Sequence, residues 1–264
     1  MERRVKLSFC LITLNEEANL PRCLRSCADL ADEIVILDSG STDATARIAK
    51  EFGARFEHQD WLGYVGQKNQ VLSRATHEWV FSLDADEELS PELRADLRRL
   101  KQTEPPTELS GWSLPRCVLY EGRWIRHGDW YPDRGTRLWR RGLAEWGGVD
   151  PHDKLIVRGA VGWLRSDLLH YNAESIDRQL AKITAFSSDF VKHAQAGQRP
   201  ATWSDLAFRP AWRFVRSYFF RRGFLDGWQG YYIAWMTAFY TVTRYAKVRE
   251  AQSGLSEKEI RRGQ

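Results

Sequence analysis

Four short apolar runs alternate with helical periodicity across the first hundred residues, and this alternation restricts the chain to an α/β sheet with parallel strands and right-handed crossovers. Val5 to Leu14 is the first run. Behind it Leu20, Leu24, Cys27 and Leu30 recur at three- and four-residue steps, the spacing of one helix face. Glu33 to Leu37 forms the second strand. The polar turn Asp38 to Asp43 follows, with Ser41 or Thr42 expected to cap a helix over Ala44 to Phe52. Ala54 to His58, a helix over Gly66 to Ala75, the strand Glu78 to Leu83 and a helix over Pro91 to Leu100 complete the series.

After the breaker Thr103-Glu104-Pro105-Pro106 the pattern changes. Trp112 to Leu119, Thr136 to Trp139 and Lys154 to Val157 read as strands without long intervening helices, so the sheet is expected to become mixed. Ile176, Leu180, Ile183, Phe186 and Phe190 return to helical spacing, and Gly197 with Pro200 closes that helix. The expected division is a catalytic α/β domain over 1–200 and a helical segment over 201–264.

The tail holds much of an unusual aromatic supply, 12 Trp, 12 Phe and 9 Tyr in 264 residues. Trp203, Phe208, Trp212, Phe214, Tyr218, Phe219, Phe220 and Phe224 are interleaved with Arg209, Arg213, Arg216, Arg221 and Arg222. Aromatic and arginine side chains mixed on helices suit an anionic membrane surface. Gly227 to Thr243 lacks charge, but Gln229, two glycines and several hydroxyls favour a helix lying in the interface over one that spans. A net charge of +4 does not indicate a nucleic-acid partner. Cys10, Cys23, Cys27 and Cys117 follow no zinc pattern and read as reduced thiols of a cytoplasmic protein. The basic start and apolar run imitate a signal peptide, but Lys6 interrupts the run and no cleavage site follows.

Chemistry is expected where the strands end. Thr13 to Glu17, Asp38 to Asp43 and Asp84 to Glu88 each follow a strand of one parallel sheet, so all three loops open on the same edge, where ligands of such sheets bind. In an extended segment Asp84 and Asp86 face one side, and oxygen ligands so spaced suit Mg²⁺ or Mn²⁺. Neither a dinucleotide Gly-x-Gly-x-x-Gly nor a P-loop is present, so a bound diphosphate must rely on metal and basic side chains.

Leu14-Asn15-Glu16-Glu17, Asp38-Ser39-Gly40-Ser41-Thr42-Asp43, Gln67-Lys68-Asn69 and Leu83-Asp84-Ala85-Asp86-Glu87 occur in this order. The sequence resembles the family-2 inverting glycosyltransferases of GT-A fold, and most of all the branch acting on the inner core of lipopolysaccharide. The likeness continues through Arg134 to Arg141, Pro151-His152-Asp153 and Arg222 to Gly230. It implies a Rossmann-like mixed sheet flanked by helices, a UDP-sugar donor, a lipid-linked saccharide acceptor and a divalent cofactor. The enzyme would be peripheral on the inner face of the cytoplasmic membrane. Thr13, Glu16 and Asp38 would hold base and ribose, with Asn15 and Ser41 in the same loops. Asp84 would face ribose and sugar, Asp86 with Asp84 would ligate the metal, and Lys68 would lie near the donor. Asp153 would take the acceptor proton; relatives carry Glu there, and the shorter side chain leaves Glu145 and Asp150 as alternatives.

Single displacement at an anomeric carbon needs a carboxylate opposite the leaving group and a Lewis acid beside it. Arg134, Arg137, Arg140 and Arg141 are candidates to meet the diphosphate or an anionic acceptor, with strand alternation favouring Arg137 and Arg141 as inward. His170 is expected to be a hydrogen-bonded core residue unless it turns toward the metal. Exopolysaccharide or polyprenyl-phosphate glycosylation, or a catalytically silent membrane adaptor, are the competing readings.

Overall fold

A computed structural model describes residues 5–103, 105–150, 152–171, 176–194 and 201–253. The chain divides into two units, residues 1–118 with 133–171, and residues 119–132 with 172–264.

In the first unit the expected alternation is present. β1 (Leu7–Thr13), α1 (Leu20–Cys27), β2 (Glu33–Asp38), α2 (Thr45–Glu51), β3 (Arg55–His58), α3 (Gly63–Ser73), β4 (Trp79–Ser82), β5 (Glu87–Leu89) and α4 (Pro91–Gln102) follow in order. β1 pairs in parallel with β2 and with β4, and β3 lies parallel outside β2. Thr13 stands opposite Asp38, so the first two polar loops leave the sheet at the same level.

β6 (Leu109–Tyr120), β7 (Arg123–Ile125), β8 (Asp133–Arg140), β9 (Ala144–Val149), β10 (His152–Val157), β11 (Ala160–Trp163) and β12 (Leu168–His170) continue the chain. β8 is antiparallel to both β4 and β6, and β12 runs parallel to β6 and antiparallel to β5. The sheet order β3-β2-β1-β4-β8-β6-β12-β5 is therefore mixed, as expected, with β11 and β7 also pairing β6. β9 and β10 form a separate two-stranded sheet.

Residue alternation along β1 decides which layer each side chain joins. Phe9 and Leu11 meet α1, α2 and α4 through Leu20, Leu24, Ile48, Leu93 and Leu97, while Cys10 joins Val71, Trp139 and Trp146 on the α3 side. Phe9 and Phe81 lie with ring centroids 5.2 Å apart at the centre of the first cluster. Losing a buried ring such as Phe9 costs about 3–5 kcal/mol. All four cysteines are buried and none is in a disulfide among the described residues.

Local capping partly departs from the sequence reading. Neither Ser41 nor Thr42 caps α2, whose N-cap is Ala44. The hydroxyl of Ser41 instead donates to Asp38, and Thr42 bonds Asn15, because the loop spends its polar groups on its neighbour. At α4 the expected chemistry holds, with Ser90 Oγ accepting from Leu93 N at 3.1 Å and Pro91 in the first turn.

The second unit contains β7, α5 (Ile176–Ala194), α6 (Trp203–Val215) and α7 (Gly227–Ser253). α5, placed by the sequence in the segment before residue 200, packs on α7: Lys247 Nζ donates to Thr184 O at 2.9 Å and to Ser188 Oγ at 2.8 Å. Gly197 and Pro200, expected to close α5, lie outside the described residues. A Cβ on Gly230 would sit 1.9 Å from Gly223 O, so the 222–230 motif is a glycine-dependent crossing of α7 over the preceding turn. Trp228, Tyr231, Trp235 and Phe239 are exposed at helical spacing along α7, and Trp203, Phe208 and Trp212 are exposed on α6. No helix among the described residues is long and apolar enough to cross a membrane.

Candidate active site

The first two polar loops are laced together. Asn15, with φ at +55°, donates its N–H to Ser41 Oγ at 2.8 Å and accepts from Thr42 N at 2.9 Å. Glu16 N donates to Thr45 Oγ1, Glu17 N to Asp43 Oδ2, and Ala44 N back to Glu17 Oε2. Asp38 is buried and accepts four hydrogen bonds, from Thr13 Oγ1, Gly40 N, Ser41 N and Ser41 Oγ. Its carboxylate thus organises this rim.

The third loop reaches the same edge. Burial raises the pKa of the Glu16 carboxyl, and the charges of Asp86, Asp43 and Asp84 raise it further, while Asn19 opposes them through a 3.0 Å hydrogen bond. Acids from separate stretches therefore sit within each other's field.

Asp84 and Asp86 do not face one side from an extended segment, as the two-residue spacing implied. Glu87 N donates to Asp84 O at 2.9 Å and Asp84 N donates to Glu87 Oε2 at 3.0 Å, which closes a turn through Ala85 and Asp86. The turn sends the two carboxylates to different partners. Asp84 Oδ2 accepts from Arg137 Nη2 at 3.3 Å, and Asp86 Oδ2 lies 3.1 Å from His170 Nε2. Beneath them Glu87, fully buried, accepts from the same Arg137 nitrogen at 2.7 Å and lies 3.7 Å from Arg116. Burial opposes ionisation of Asp84, but Arg137, Lys68 and Arg116 outweigh it and hold its carboxyl well below the usual range. Burial pushes Glu87 up to about 7 against the pull of Arg137, with the Asp84 charge adding to the rise. Two acids share one guanidinium, and the more exposed one keeps the charge.

Beside this cluster opens a cavity of about 640 Å³, lined by Lys68 of α3, Asp84, residues 113–116 excluding Pro115 of β6, residues 133–137 of β8, Trp146 of β9 and residues 153–155 of β10. The β9–β10 hairpin forms one wall and is fixed to α3 at three levels. Asp150 Oδ1 accepts from Val65 N at 3.1 Å, Asn69 and Trp146 exchange side-chain and backbone hydrogen bonds at 2.8 and 2.9 Å, and Lys68 Nζ meets Asp153 Oδ2 at 2.7 Å. Gly63, at φ +80°, is required at the first level, since a Cβ there would lie 1.9 Å from Asp150 Oδ2. Lys68 also sits 4.3 Å over the Trp146 ring.

Of the sequence-derived candidates, Lys68, Asp84, Arg134, Arg137 and Asp153 line the cavity. Asp86 does not; it stands with His170, which is half-buried and polar-paired and so is no core histidine. Thr13, Asn15, Glu16, Asp38 and Ser41 form the laced rim. Glu145 and Asp150 are not in the lining, and Asp150 is engaged by α3. Arg137 faces inward as alternation predicts, whereas Arg141 does not line the cavity and donates to His77 O. Arg116 and Trp146 escaped the sequence reading. An arginine within the apolar strand Trp112 to Tyr120 was the available signal for the first, since a buried cation requires a partner.

Asp86 and His170, 3.1 Å apart, are side chains of the kind that hold a divalent ion. Among the described residues no group of three His, Cys, Asp or Glu is preassembled for an ion. A hard cation that completes its shell with phosphate oxygens and water needs only one or two protein ligands.

The mixed sheet of this order, with acidic loops at the ends of its parallel strands, has a GT-A-like architecture. Residues 8–161 match the family model described as Glycosyl transferase family 2, and the chain belongs to that family. It is 33% identical over 258 residues to the lipopolysaccharide core biosynthesis glycosyltransferase LpsC of Rhizobium meliloti, covering 92% of this chain and 94% of that one. An uncharacterized glycosyltransferase of Rickettsia typhi is 30% identical over 254 residues, covering 93% and 87%. Among solved structures, the mannosyltransferase PcManGT of Pyrobaculum calidifontis, in complex with GDP-Man and Mn²⁺, aligns over 93% of this chain and 87% of its own with a TM-score of 0.54 at 15% identity.

Proposed function

We propose that this glycosyltransferase moves a hexose from a UDP-sugar to a lipid-linked saccharide in lipopolysaccharide core assembly, with inversion and with Mg²⁺ or Mn²⁺. The observation that carries the reading is that Asp84, at the end of a parallel strand, and Asp153, on a separate hairpin, line one cavity large enough for a sugar and its acceptor. The likeness to LpsC supports the core saccharide as acceptor.

In this reading Asp153 takes the proton from the acceptor hydroxyl as its oxygen attacks the anomeric carbon. The bond from that carbon to the diphosphate oxygen breaks on the opposite face, UDP departs with the electron pair, and the anomeric configuration inverts. Lys68 holds Asp153 against the hairpin wall until substrate enters. Arg137 keeps Asp84 ionised to receive hydroxyls of the donor sugar. Asp86 and His170, with Asp84, would hold the divalent ion, which supplies Lewis acidity toward the leaving diphosphate. The presence of Mn²⁺ beside GDP-Man in the Pyrobaculum enzyme accords with that assignment. The loops of Thr13 to Glu16 and Asp38 to Ser41 would receive base and ribose.

The outward aromatics of α6 and α7, with arginines of the same unit, support attachment to the anionic inner face of the cytoplasmic membrane without spanning it. The test is a thermal-shift screen of nucleotide sugars with and without Mn²⁺, followed by transfer assays on core saccharide, exopolysaccharide precursor and polyprenyl phosphate. A metal-dependent shift with a UDP-hexose and transfer to the core saccharide are expected. Transfer to either other acceptor alone would overturn the acceptor assignment.

A further inference from the structure

Three arginines of the second unit converge on one acid. Asp129 lies 3.6 Å from Arg213, 3.8 Å from Arg216 and 3.2 Å from Arg221. All four side chains belong to that unit, and none lines the cavity described above.

The convergence has a backbone cause. An α-helix turns about 100° per residue, which would set Arg221 about 140° round the axis from Arg216. Instead α6 runs into a π-helical turn over Arg216–Phe220, closed by Arg221 N donating to Arg216 O at 2.8 Å. The wider turn carries Arg221 back over Arg216. The loop bearing Asp129 is tied to the same turn, since Gly128 N donates to Arg221 O at 2.9 Å and Asp129 N to Ser217 Oγ at 3.2 Å.

Charge is left over at this cluster. Among the described residues neither carboxylate oxygen of Asp129 accepts a hydrogen bond, so the guanidinium N–H donors are not committed to it. Three cations against one acid leave two positive charges. The Asp129 side chain is 10% exposed and those of Arg213, Arg216 and Arg221 are 34%, 33% and 42% exposed, so the acid lies deeper and the cations reach the surface. Trp212, Phe219, Phe220 and Phe224, interleaved with them in the chain, are exposed as well. Guanidinium charge among exposed rings suits a phosphate at the boundary of headgroups and acyl chains better than one free in water.

We propose that Arg213, Arg216 and Arg221 form a binding site for the phosphomonoester headgroup of a membrane lipid. This rests on the peripheral-attachment reading above and adds to it a defined site with a headgroup preference. A phosphomonoester carries a charge of about −1.5 to −2 near neutral pH, which matches the surplus. Its three terminal oxygens can each accept from a guanidinium fork, whereas a phosphodiester brings one charge and two such oxygens. Asp129 offsets the mutual repulsion of the three arginines and keeps them together when no lipid is bound.

The experiment is sedimentation of the full-length protein with phosphatidylcholine vesicles containing either phosphatidate or phosphatidylglycerol, adjusted to equal zeta potential. Wild type is compared with Arg221→Gln and with Arg249→Gln, which removes the same charge from an exposed position of α7 outside the cluster. Wild type should bind phosphatidate vesicles about 10–100-fold more tightly, the range of charge-assisted hydrogen bonds. Arg221→Gln should lose that preference at an unchanged melting temperature, and Arg249→Gln should keep it. Equal binding of the two lipids by wild type overturns the proposal without any variant and leaves peripheral attachment standing. A preference that survives in Arg221→Gln, or falls equally in Arg249→Gln, also overturns it. Sedimentation with neither vesicle removes the peripheral reading as well. Glycerol 3-phosphate titrated into the lipid-free protein separates the sources of phosphate: binding as tight as to phosphatidate would make the ligand a soluble ester and overturn the lipid assignment.

Discussion

Lys68 Nζ lies 2.7 Å from Asp153 Oδ2, joining α3 to the β9–β10 hairpin across a wall of the cavity. Both side chains are largely withdrawn from water, with 12% and 15% exposure, so the pair fixes where the carboxylate stands. Lys68→Met should leave Asp153 without its anchor and Trp146 without its cation. Displacement of a reacting group by an ångström costs on the order of 10²-fold. Steady-state kinetics should therefore show kcat reduced by about that factor, with the donor KM little changed. A rise confined to donor KM would make Lys68 a diphosphate ligand instead.

Arg137 pairs with both Asp84 and Glu87, with Arg116 3.7 Å from Glu87 behind it. Arg137→Leu removes it and leaves two acids facing each other at a buried site. Breaking such a cluster costs about 3–5 kcal/mol. Urea unfolding should report a loss of that order, and a midpoint equal to wild type would contradict the role assigned to it.

Asp86 and His170 meet at 3.1 Å outside the cavity lining. Asp86→Ala should abolish metal-dependent turnover. His170→Ala should instead raise the Mn²⁺ concentration needed for half-maximal activity. Manganese titration of both variants checks this, and an unaltered metal requirement in either would remove that residue from the ion's surroundings.

Acid stability should follow Asp32 and Glu33 at the opposite end of the sheet. Burial raises the pKa of Asp32, but Lys101 and the Leu7 N–H outweigh it and leave its pKa below the ordinary 3.8; Glu33 is likewise held below 4.5 by Ser8 and Thr76 against burial. Groups with depressed folded-state pKa values stabilise the protein above their ordinary values, and that stabilisation is lost as pH falls through the depressed ones. Melting temperature should thus drop as pH is lowered below about 4, and Asp32→Asn should be less stable at neutral pH with a shallower acid dependence. An acid dependence as steep as wild type would exclude Asp32 as a source.

The parallel half of the fold was legible because strand and helix periods differ, as between Val5–Leu14 and the Leu20, Leu24, Cys27 face. Convergence of Asn15, Asp38 and Asp84 at one edge followed from strand direction alone. What sequence could not supply was the turn at Ala85–Asp86, which depends on Glu87 folding back onto Asp84 N, and which sends Asp86 to a histidine 84 residues away. The hairpin wall was equally hidden, since Asn69–Trp146 and Asp150–Val65 are non-local bonds whose partners read singly as ordinary turn residues. Pairing of α5 with α7 was hidden for the same reason.

The central claim is that Asp153 is the base for a donor held across the cavity. Asp153→Asn keeps the shape of the wall and removes the proton acceptor, so rapid-mixing single-turnover assays on this variant, with donor affinity measured in parallel, test it most directly. The account predicts unchanged donor binding and a transfer rate lower by about 10²–10⁴-fold, the range for a lost general base. Transfer at the wild-type rate with donor bound would contradict it.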